Sequence, residues 1–250
     1  MFVAASTACF PDLSLSEAVE RLTDLEFTNL EITLHESGGN IKPSEVLGDF
    51  DRVVRTCRQT QRMTTIAYSF DSDTTQEDEY YRQFTACCKL AKATKVVAMV
   101  VRSGELGTPF NAEVERLRNL VAIAAEDSVL VGLLTETGRM TQDPDTAVVL
   151  CDNVKGLHIT LDPSHYIWGP HKGGGYEQVM PYTCHVRLRD TNKDKFQVRV
   201  GQGHVEYGRL VTQLNKFNYT RALCVDMPPL PDTDQNAEMR KMRLLLESLL

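Results

Sequence analysis

Three acidic residues, each at the end of an apolar run, have the type and placement for acid–base or metal chemistry. Glu136 ends VLVGLLTE, Asp162 ends GLHITLD and Asp226 ends RALCVD. If these runs are strands of one sheet, the carboxylates converge, and each pair repels by about 4 kcal/mol at ~4 Å and an effective dielectric constant of about 20. The acids therefore need a positive counter-charge, or some of them must be protonated.

A row of cations in the stretch CHVRLRD, residues 184–190, is one source of that counter-charge. In a strand, His185, Arg187 and Arg189 point to one side, and the apolar residues between them point to the other. A guanidinium group can neutralise one or two carboxylates by bidentate pairing without any metal. The pattern therefore predicts that this cationic row faces the three acids.

A divalent metal is the other source of positive charge. Carboxylates beside an imidazole form a mixed oxygen and nitrogen site that suits Mn²⁺, Zn²⁺, Co²⁺ or Mg²⁺. The imidazole would come from His165, in DPSH, or from His185. The residues leave the metal and the arginines open as alternatives. The candidate metal ligands are Glu136, Asp162, His185 and Asp226.

The three glycines at 173–175 are the one stretch that suggests a phosphate-binding loop. They lack the Lys-Ser/Thr pair that follows such a loop in nucleotide-binding proteins. We therefore expect a mobile lid at 173–175 and no organic cofactor.

The elements that must position these residues follow from the hydrophobic pattern. Short runs rich in Val, Ile and Leu alternate eight times with segments of helical periodicity. Such strands indicate a parallel sheet buried on both faces. Eight units in 250 residues match one (β/α)8 TIM barrel, a parallel eight-stranded barrel with outer helices, as a single domain over residues 1–250. The predicted strands are 2–7, 29–35, 64–70, 95–101, 129–136, 156–162, 184–189 and 221–226.

Two helix starts have local signals. Ser14, with Glu17 three residues later, forms a capping box at the start of the first helix. Pro43 suits the first turn of a second helix, predicted over 42–60.

The predicted barrel places the chemically active residues at one end. Catalytic groups in this fold lie at the C-terminal ends of the strands and in the loops that follow. The acids and cations described above fall there, and His35 ends the second run. Tyr166 and Trp168 follow the sixth run closely, and we expect them to form an apolar wall for a ring-shaped ligand. The predicted substrate-binding residues are His35, His165, Tyr166, Trp168, Arg187 and Arg189.

Composition bounds the class of protein. Hydrophobic residues make up 42% of the chain and charged residues 24%, which is typical of a folded globular protein. A net charge of −7 argues against nucleic acid as the partner. No apolar run reaches the ~18 residues of a membrane span, and MFVAASTACF lacks the basic region of a signal peptide. Seven scattered cysteines predict reduced, buried thiols, and we expect a cytoplasmic location.

Five segments together resemble the second half of the xylose isomerase-like barrel superfamily. They are LLTETG, GLHITLDPSHY, CHVRLRD, VGQGHVEYGRLVTQLNKFNY and ALCVDM. That group includes epimerases of the tagatose 3-epimerase type, inosose dehydratase and endonuclease IV. The Asp-x-x-His step and the GQG turn before a helix are the most specific parts of the resemblance.

The resemblance implies a divalent ion held by a glutamate on strand five, an aspartate on strand six, a histidine on strand seven and a glutamate on strand eight. Glu136 and Asp162 match the first two positions, and His165 matches a substrate-binding histidine. Arg187 stands where the histidine ligand is usual, and Asp226 stands in place of the glutamate. An arginine cannot ligate a cation, because it stays protonated and has no lone pair to offer.

The resemblance implies an isomerase or epimerase, or a lyase, that acts on a small sugar or polyol by removing a proton next to a carbonyl group. Glu136 and Asp226 would be the base and the acid. If no metal binds, Arg187 could stabilise the enediolate oxygen. The alternative is a barrel that binds a ligand without catalysis or without metal. An endonuclease is less favoured, because NKDKFQVRVGQG after strand seven lacks the Asp-x-His pair of that enzyme.

Overall fold

The computed structural model of the chain describes residues 1–60, 63–172 and 174–250. Eight parallel strands pair in sequence order, and the last pairs with the first to close a barrel. The predicted fold class, a (β/α)8 barrel with surrounding helices, is therefore confirmed. The strands are β1 Phe2–Ser6, β2 Asn29–His35, β3 Thr64–Asp71, β4 Ala98–Val101, β5 Leu130–Leu134, β6 Leu157–Leu161, β7 Thr183–Leu188 and β8 Ala222–Val225.

Strand β4 is shorter than predicted, and the reason is local. Lys95 adopts a left-handed conformation with φ 62° and ends the preceding helix, where its N–H donates to the carbonyl of Ala91. The first residues of the run that begins at Lys95 therefore lie in a turn, and the strand begins at Ala98.

Helices pack around the outside of the barrel. The capping box at Ser14 and Glu17 is present at the start of the first helix. Short 3₁₀ helices lie at Thr7–Cys9, Met140–Gln142 and Glu177–Tyr182. The α-helices are α1 Leu15–Asp24, α2 Pro43–Gly48, α3 Phe50–Arg58, α4 Glu77–Thr94, α5 Phe110–Glu126, α6 Pro144–Asn153, α7 Pro163–Trp168, α8 Tyr207–Lys216 and α9 Gln235–Glu247.

The helix predicted over 42–60 is two helices. Asp49 has φ −143° and ψ 70°, which are not helical angles, and its N–H still donates to Glu45 to end α2. Its side chain then accepts a hydrogen bond from the backbone N–H of Arg52, at 3.2 Å, and caps α3. One aspartate thus serves both helix ends.

The barrel interior differs from the layer between strands and helices. The outer layer is apolar, with fully buried residues such as Leu22, Ile32 and Phe84. The interior of such barrels is usually filled by branched aliphatic residues. Here Glu31 and Arg187 are buried inside the barrel, and Arg187 is level with Cys224, which belongs to a small apolar cluster with Ala4 and Ala222. The polar interior continues upward to the C-terminal ends of the strands and forms the candidate site.

The expectations for the cysteines and for the predicted lid can be compared with the structure. All seven cysteines are free and buried, as their scattered spacing predicts. Of the predicted lid, Gly174 and Gly175 lie in a loop before Glu177–Tyr182, and Gly173 lies outside the described residues. Within the described ranges, none of the helices combines the length and apolar character that crossing a bilayer requires.

Candidate active site

Strand β7 carries the cationic row, and His185 and Arg187 share one carboxylate. His185 Nε2 lies 2.6 Å from Glu31 Oε2, to which Arg187 Nε also donates at 3.3 Å. Arg187 Nη2 donates to the other oxygen of Glu31, and Arg187 Nη1 lies 3.7 Å from Asp226 Oδ2. We call this group, with Arg189 and Asp162, the strand-seven network; its members are Glu31, Asp162, His185, Arg187, Arg189 and Asp226.

Glu31 is the carboxylate that the sequence did not identify as a partner of this row. It lies on β2 inside the barrel and is 0% exposed. Burial raises the pKa of Glu31, but the charge of Arg187 and the contacts of His185 outweigh burial and bring the pKa to about 2. Glu31 is therefore an ionised, fully buried carboxylate that depends on Arg187 for its counter-charge.

Arg189 joins the two acids that directly follow β6 and β8. Its Nη2 donates to Asp162 Oδ2 and to Asp226 Oδ2, each at 3.0 Å. Burial raises the pKa of Asp162, but Arg189, His165 and the hydrogen bonds from Ser164 together outweigh burial and hold the pKa below its usual value. The Asp162 side chain also accepts from the backbone N–H of Ser164 and caps α7. The ring of Phe196 covers the guanidinium group, with its centroid 4.5 Å from Cζ of Arg189.

Glu136 does not face the cationic row, although the sequence predicted that it would. Arg102 donates to both oxygens of Glu136, through Nε at 2.9 Å and through Nη2. Arg139 Nε lies 3.2 Å from Glu136 Oε2, and Arg102 Nη1 donates to Asp71 Oδ2 at 2.9 Å. We call these four residues the strand-five network. Burial raises the pKa of Glu136, but Arg102 and Arg139 outweigh it and hold the pKa below its usual value.

The sequence interpretation missed Asp71, Arg102 and Arg139 of this network, and Arg102 is the one that joins the two acids. It follows β4 directly, in MVVRSG, and so occupies the same kind of strand-end position as the acids that were recognised. A cation at the carboxyl end of a barrel strand was the available signal.

His165 lies beside the strand-seven network with its two ring nitrogens in different roles. The backbone N–H of Thr137 donates to Nδ1 at 3.0 Å, and Nε2 lies 3.9 Å from Asp162 Oδ2. A backbone N–H can only donate, so Nδ1 carries no proton. Burial lowers the pKa of His165, and a neutral ring with a free Nδ1 must carry its proton on Nε2. His165 is therefore a neutral hydrogen-bond donor.

His35 ends β2 and is hydrogen-bonded to the neighbouring strand. Its Nε2 lies 2.9 Å from the hydroxyl oxygen of Ser69 on β3. Glu31, Thr33 and His35 alternate along β2 and point to the barrel interior, with His35 nearest the C-terminal end. Unlike Glu31, His35 is only partly buried.

The two predicted aromatic wall residues lie in different places. Tyr166 is fully buried; its hydroxyl donates to the carbonyl of Thr141 at 3.2 Å, and its ring stacks on Tyr176. This packing removes Tyr166 from the surface on which a ligand could lie. Trp168 is 36% exposed, and its ring centroid lies 5.3 Å from that of Phe196. Trp168 and Phe196, rather than Tyr166, are the aromatic side chains available at the mouth.

The GQG turn fixes the loop that carries Phe196. The carboxylate of Asp190 accepts from the backbone N–H groups of Gly201, at 2.8 Å, and Gly203, at 2.9 Å. Gly201 has φ 89°, and a Cβ atom on Gly203 would lie 1.9 Å from Asp190 Oδ1. Neither position accepts a side chain without strain. The conformation that holds Phe196 over Arg189 therefore depends on both glycines.

The candidate metal ligands are not brought together as one coordination set. Asp162 and Asp226 share the guanidinium group of Arg189, whereas Glu136 accepts from Arg102. Arginine offers no lone pair, and its charge repels a cation. The position that the family resemblance gives to the histidine ligand carries another arginine. These residues do not fit a divalent ion in that arrangement.

One group in the described part of the chain has donor atoms within 4.8 Å of one another: Glu31, His185 and Cys224. Arg187 already donates to both oxygens of Glu31 there. Burial raises the pKa of the Cys224 thiol well above its usual value, so the thiol stays protonated and is a poor ligand. This group also fits a cation poorly.

The family model of the xylose isomerase-like TIM barrel matches residues 11–245. The chain belongs to this family. The resemblance identified from the strand-end motifs is therefore confirmed. No curated protein sequence is significantly similar to the chain.

Solved structures of similar shape support the fold along the whole chain. A D-tagatose 3-epimerase-like protein is 14% identical, with a TM-score of 0.77, over 100% of this chain and 98% of its own. The probable 3-DHS dehydratase AsbF from Bacillus anthracis is 14% identical, with a TM-score of 0.75, over 99% of each chain. The IOLI protein, whose structure holds a zinc atom, is 15% identical, with a TM-score of 0.75, over 100% of this chain and 99% of its own.

Proposed function

We propose that this chain is an enzyme that acts on a sugar, a cyclitol or a related polyol by proton transfer next to a carbonyl group. The observation that carries the proposal is the pair of guanidinium groups of Arg187, on β7, and Arg189, directly after it, which hold Glu31, Asp162 and Asp226 together at the barrel mouth. Active sites in this fold lie at that end of the barrel. Similar structures include a D-tagatose 3-epimerase-like protein and a probable 3-DHS dehydratase, which supports the substrate class.

The charges at the mouth favour a neutral ligand with many hydroxyl groups. The positive charges of the two networks nearly balance the negative ones, so neither sign attracts a strongly charged substrate. A hydroxyl group can donate to a carboxylate and accept from a guanidinium group, which suits a surface of alternating acids and arginines. The acids are Glu31, Asp71, Glu136, Asp162 and Asp226, and the arginines are Arg102, Arg139, Arg187 and Arg189.

Arg187 and Arg189 supply the electrostatic part of the mechanism. Removal of a proton next to a carbonyl group places negative charge on the carbonyl oxygen, and a fixed guanidinium group stabilises that charge. Arg187 cannot lose its charge, because Glu31 raises its already high pKa further despite the opposing effect of burial. His165 adds a neutral N–H donor at Nε2. No divalent ion is required for this stabilisation.

The reaction also needs a group that accepts the proton. Glu136 and Asp226 are the carboxylates proposed for acid–base catalysis from the sequence. Asp226 accepts from Arg189, and Glu136 accepts from Arg102. Both can also orient substrate hydroxyl groups.

The test is hydrogen exchange with solvent. The purified protein is incubated in D₂O with D-fructose, D-tagatose or 2-keto-myo-inositol, and loss of the proton next to the carbonyl group is followed by ¹H NMR. Exchange with at least one compound is expected. Arg187→Gln should slow exchange about 10²–10³-fold, the effect of removing one oxyanion donor. Glu115→Gln, which breaks an exposed ion pair with Arg118, is the control.

A ligand-binding barrel without catalysis is the second candidate. The observation that favours it is that each acid of the two networks already has a guanidinium partner, so no carboxylate is free to act as a base. This candidate predicts binding of a polyol, seen as a concentration-dependent rise in melting temperature, with no exchange. Exchange that depends on Arg187 would exclude it.

A further inference from the structure

Two histidines at the barrel mouth have hydrogen-bond environments that suit opposite roles. The Nδ1 of His165 accepts from the backbone N–H of Thr137. This bond leaves the ring of His165 only a donor for a ligand. His35 has a hydroxyl partner instead, the Ser69 Oγ atom 2.9 Å from Nε2. Since a hydroxyl group can accept as well as donate, Nε2 of His35 can carry the ring proton and donate to Ser69, which leaves the lone pair of Nδ1 for a ligand.

The charged groups around His35 come from β2, β3, β7 and the residue after β8. Arg187 disfavours a proton on the ring, and Asp71, Glu31 and Asp226 favour one. Burial is the largest influence, and together with Arg187 it holds the pKa of His35 below its usual value. The imidazole is therefore neutral, and able to accept a proton, at pH 7.

The other candidate bases at the mouth are engaged by cations. Glu136 accepts from Arg102 at both oxygens, and Asp162 and Asp226 share Arg189. A carboxylate held in this way has low basicity, because accepting a proton would cost it the interaction with the guanidinium group. His35 lacks such a restraint and is partly exposed at the same end of the barrel.

We propose that the dyad of His35 and Ser69 is the base that removes the proton next to the substrate carbonyl group. The inference rests on the function proposed above and names the residue that the function requires. The C–H bond breaks, its proton goes to the dyad, and its electron pair forms the C=C bond of an enediolate. The carbonyl oxygen takes the charge beside Arg187. The imidazolium then returns the proton either to the same carbon, which restores the carbonyl group, or to the former carbonyl carbon, while the hydroxyl proton passes from one enediolate oxygen to the other. The cycle therefore consumes no further reactant.

The test compares His35→Gln with His158→Gln, a matched change of a half-buried histidine at the opposite end of the barrel. Both variants are assayed in D₂O for exchange of the hydrogen next to the carbonyl group of D-fructose, D-tagatose and 2-keto-myo-inositol. We expect His35→Gln to lose about 10²–10⁴-fold in rate, the usual contribution of a general base. Its affinity for the same compound, measured by calorimetry, should change little. His158→Gln should keep the wild-type rate.

Ser69→Ala separates proton transfer from a purely structural role. In the wild type, the exchange rate should rise with pH through the lowered pKa of His35 and then level, since the neutral ring is the active form. Ser69→Ala should move the midpoint of this rise, and His35→Gln should abolish it. A structural role would reduce the rate and leave the midpoint in place.

Three results would overturn the inference in distinguishable ways. Exchange within a few-fold of wild type in His35→Gln would remove His35 as the base and leave the proposed function intact. If Glu136→Gln lost exchange while His35→Gln kept the wild-type exchange rate, the base would be Glu136 instead. Failure of the wild-type protein to exchange any of the three compounds would overturn both proposals.

Discussion

The two charge networks at the barrel mouth use the same chemistry in different surroundings. In the strand-seven network, Glu31 is 0% exposed and Arg187 is 7% exposed. In the strand-five network, the side chain of Arg102 is 37% exposed and that of Asp71 is 34% exposed. Both contain arginines that contact more than one carboxylate. Only the first is enclosed by protein, so only there must each charge be balanced by another protein charge.

The difference in burial assigns the two networks different tasks. Removing the partner of a buried ion strongly destabilises the folded protein, because no water replaces the lost interaction. A partly exposed pair contributes little to stability, and water or a ligand can replace either partner. The strand-seven network is therefore a fixed electrostatic element of the site. The strand-five network can exchange its protein contacts for contacts with a ligand.

The largest predicted effect is the loss of the buried carboxylate. Glu31→Gln leaves the guanidinium group of Arg187 buried beside a neutral amide, and we expect the free energy of unfolding to fall by about 3–5 kcal/mol. Urea unfolding followed by circular dichroism measures this change. Glu115→Gln, at an exposed pair, should change the same quantity by about 0–1 kcal/mol. Similar losses in the two variants would show that burial does not distinguish the charge pairs.

The same carboxylate gives the stability a defined pH dependence. The pKa of Glu31 is about 2 in the folded protein and about 4.3 in an unfolded chain. Its contribution is therefore fully present above the unfolded value and is lost as the pH falls toward the folded value. The stability difference between wild type and Glu31→Gln should shrink between about pH 4.3 and 2. A difference that stays constant over this range would contradict the ion pair.

The smallest effect on stability is expected in the strand-five network. Arg102→Gln should lower the free energy of unfolding by about 1 kcal/mol or less, because Arg102 is partly exposed. The same variant should weaken polyol binding measurably by calorimetry, because Arg102 is available to a ligand. If Arg102→Gln destabilised the protein as strongly as Glu31→Gln and left binding unchanged, the division between the networks would be wrong.

The sequence predicted the elements better than it predicted the contacts. Each predicted strand overlaps an observed one, because the apolar pattern reports local burial. The prediction of one helix over 42–60 was wrong at Asp49, where a residue suited to capping interrupts an otherwise helical pattern. Strand-end acids and cations were visible as a set, because the fold brings these positions to one end of the barrel.

Partners across the barrel could not be read from the sequence. The pairing of Glu31 with His185 and Arg187 depends on the register of each strand relative to its neighbours. Register shifts lie between Leu30 and Glu31 and between Ile159 and Thr160, and alternation does not reveal them. Glu136 was misplaced for a different reason: β5 ends at Leu134, so Glu136 lies in the loop after the strand and alternation does not set its direction. Its partners Arg102 and Arg139 follow β4 and β5.

In the function proposed above, Arg187 on β7 and Arg189 directly after it provide the positive charge that the family resemblance assigns to a metal ion. Elemental analysis of the purified protein, with titration of Mn²⁺, Zn²⁺ and Co²⁺ by calorimetry, tests this assignment most directly. Neither the wild type nor Glu136→Ala should contain stoichiometric metal, and neither should show saturable metal binding at the barrel mouth. One bound metal per chain in the wild type, lost in Glu136→Ala, would contradict it.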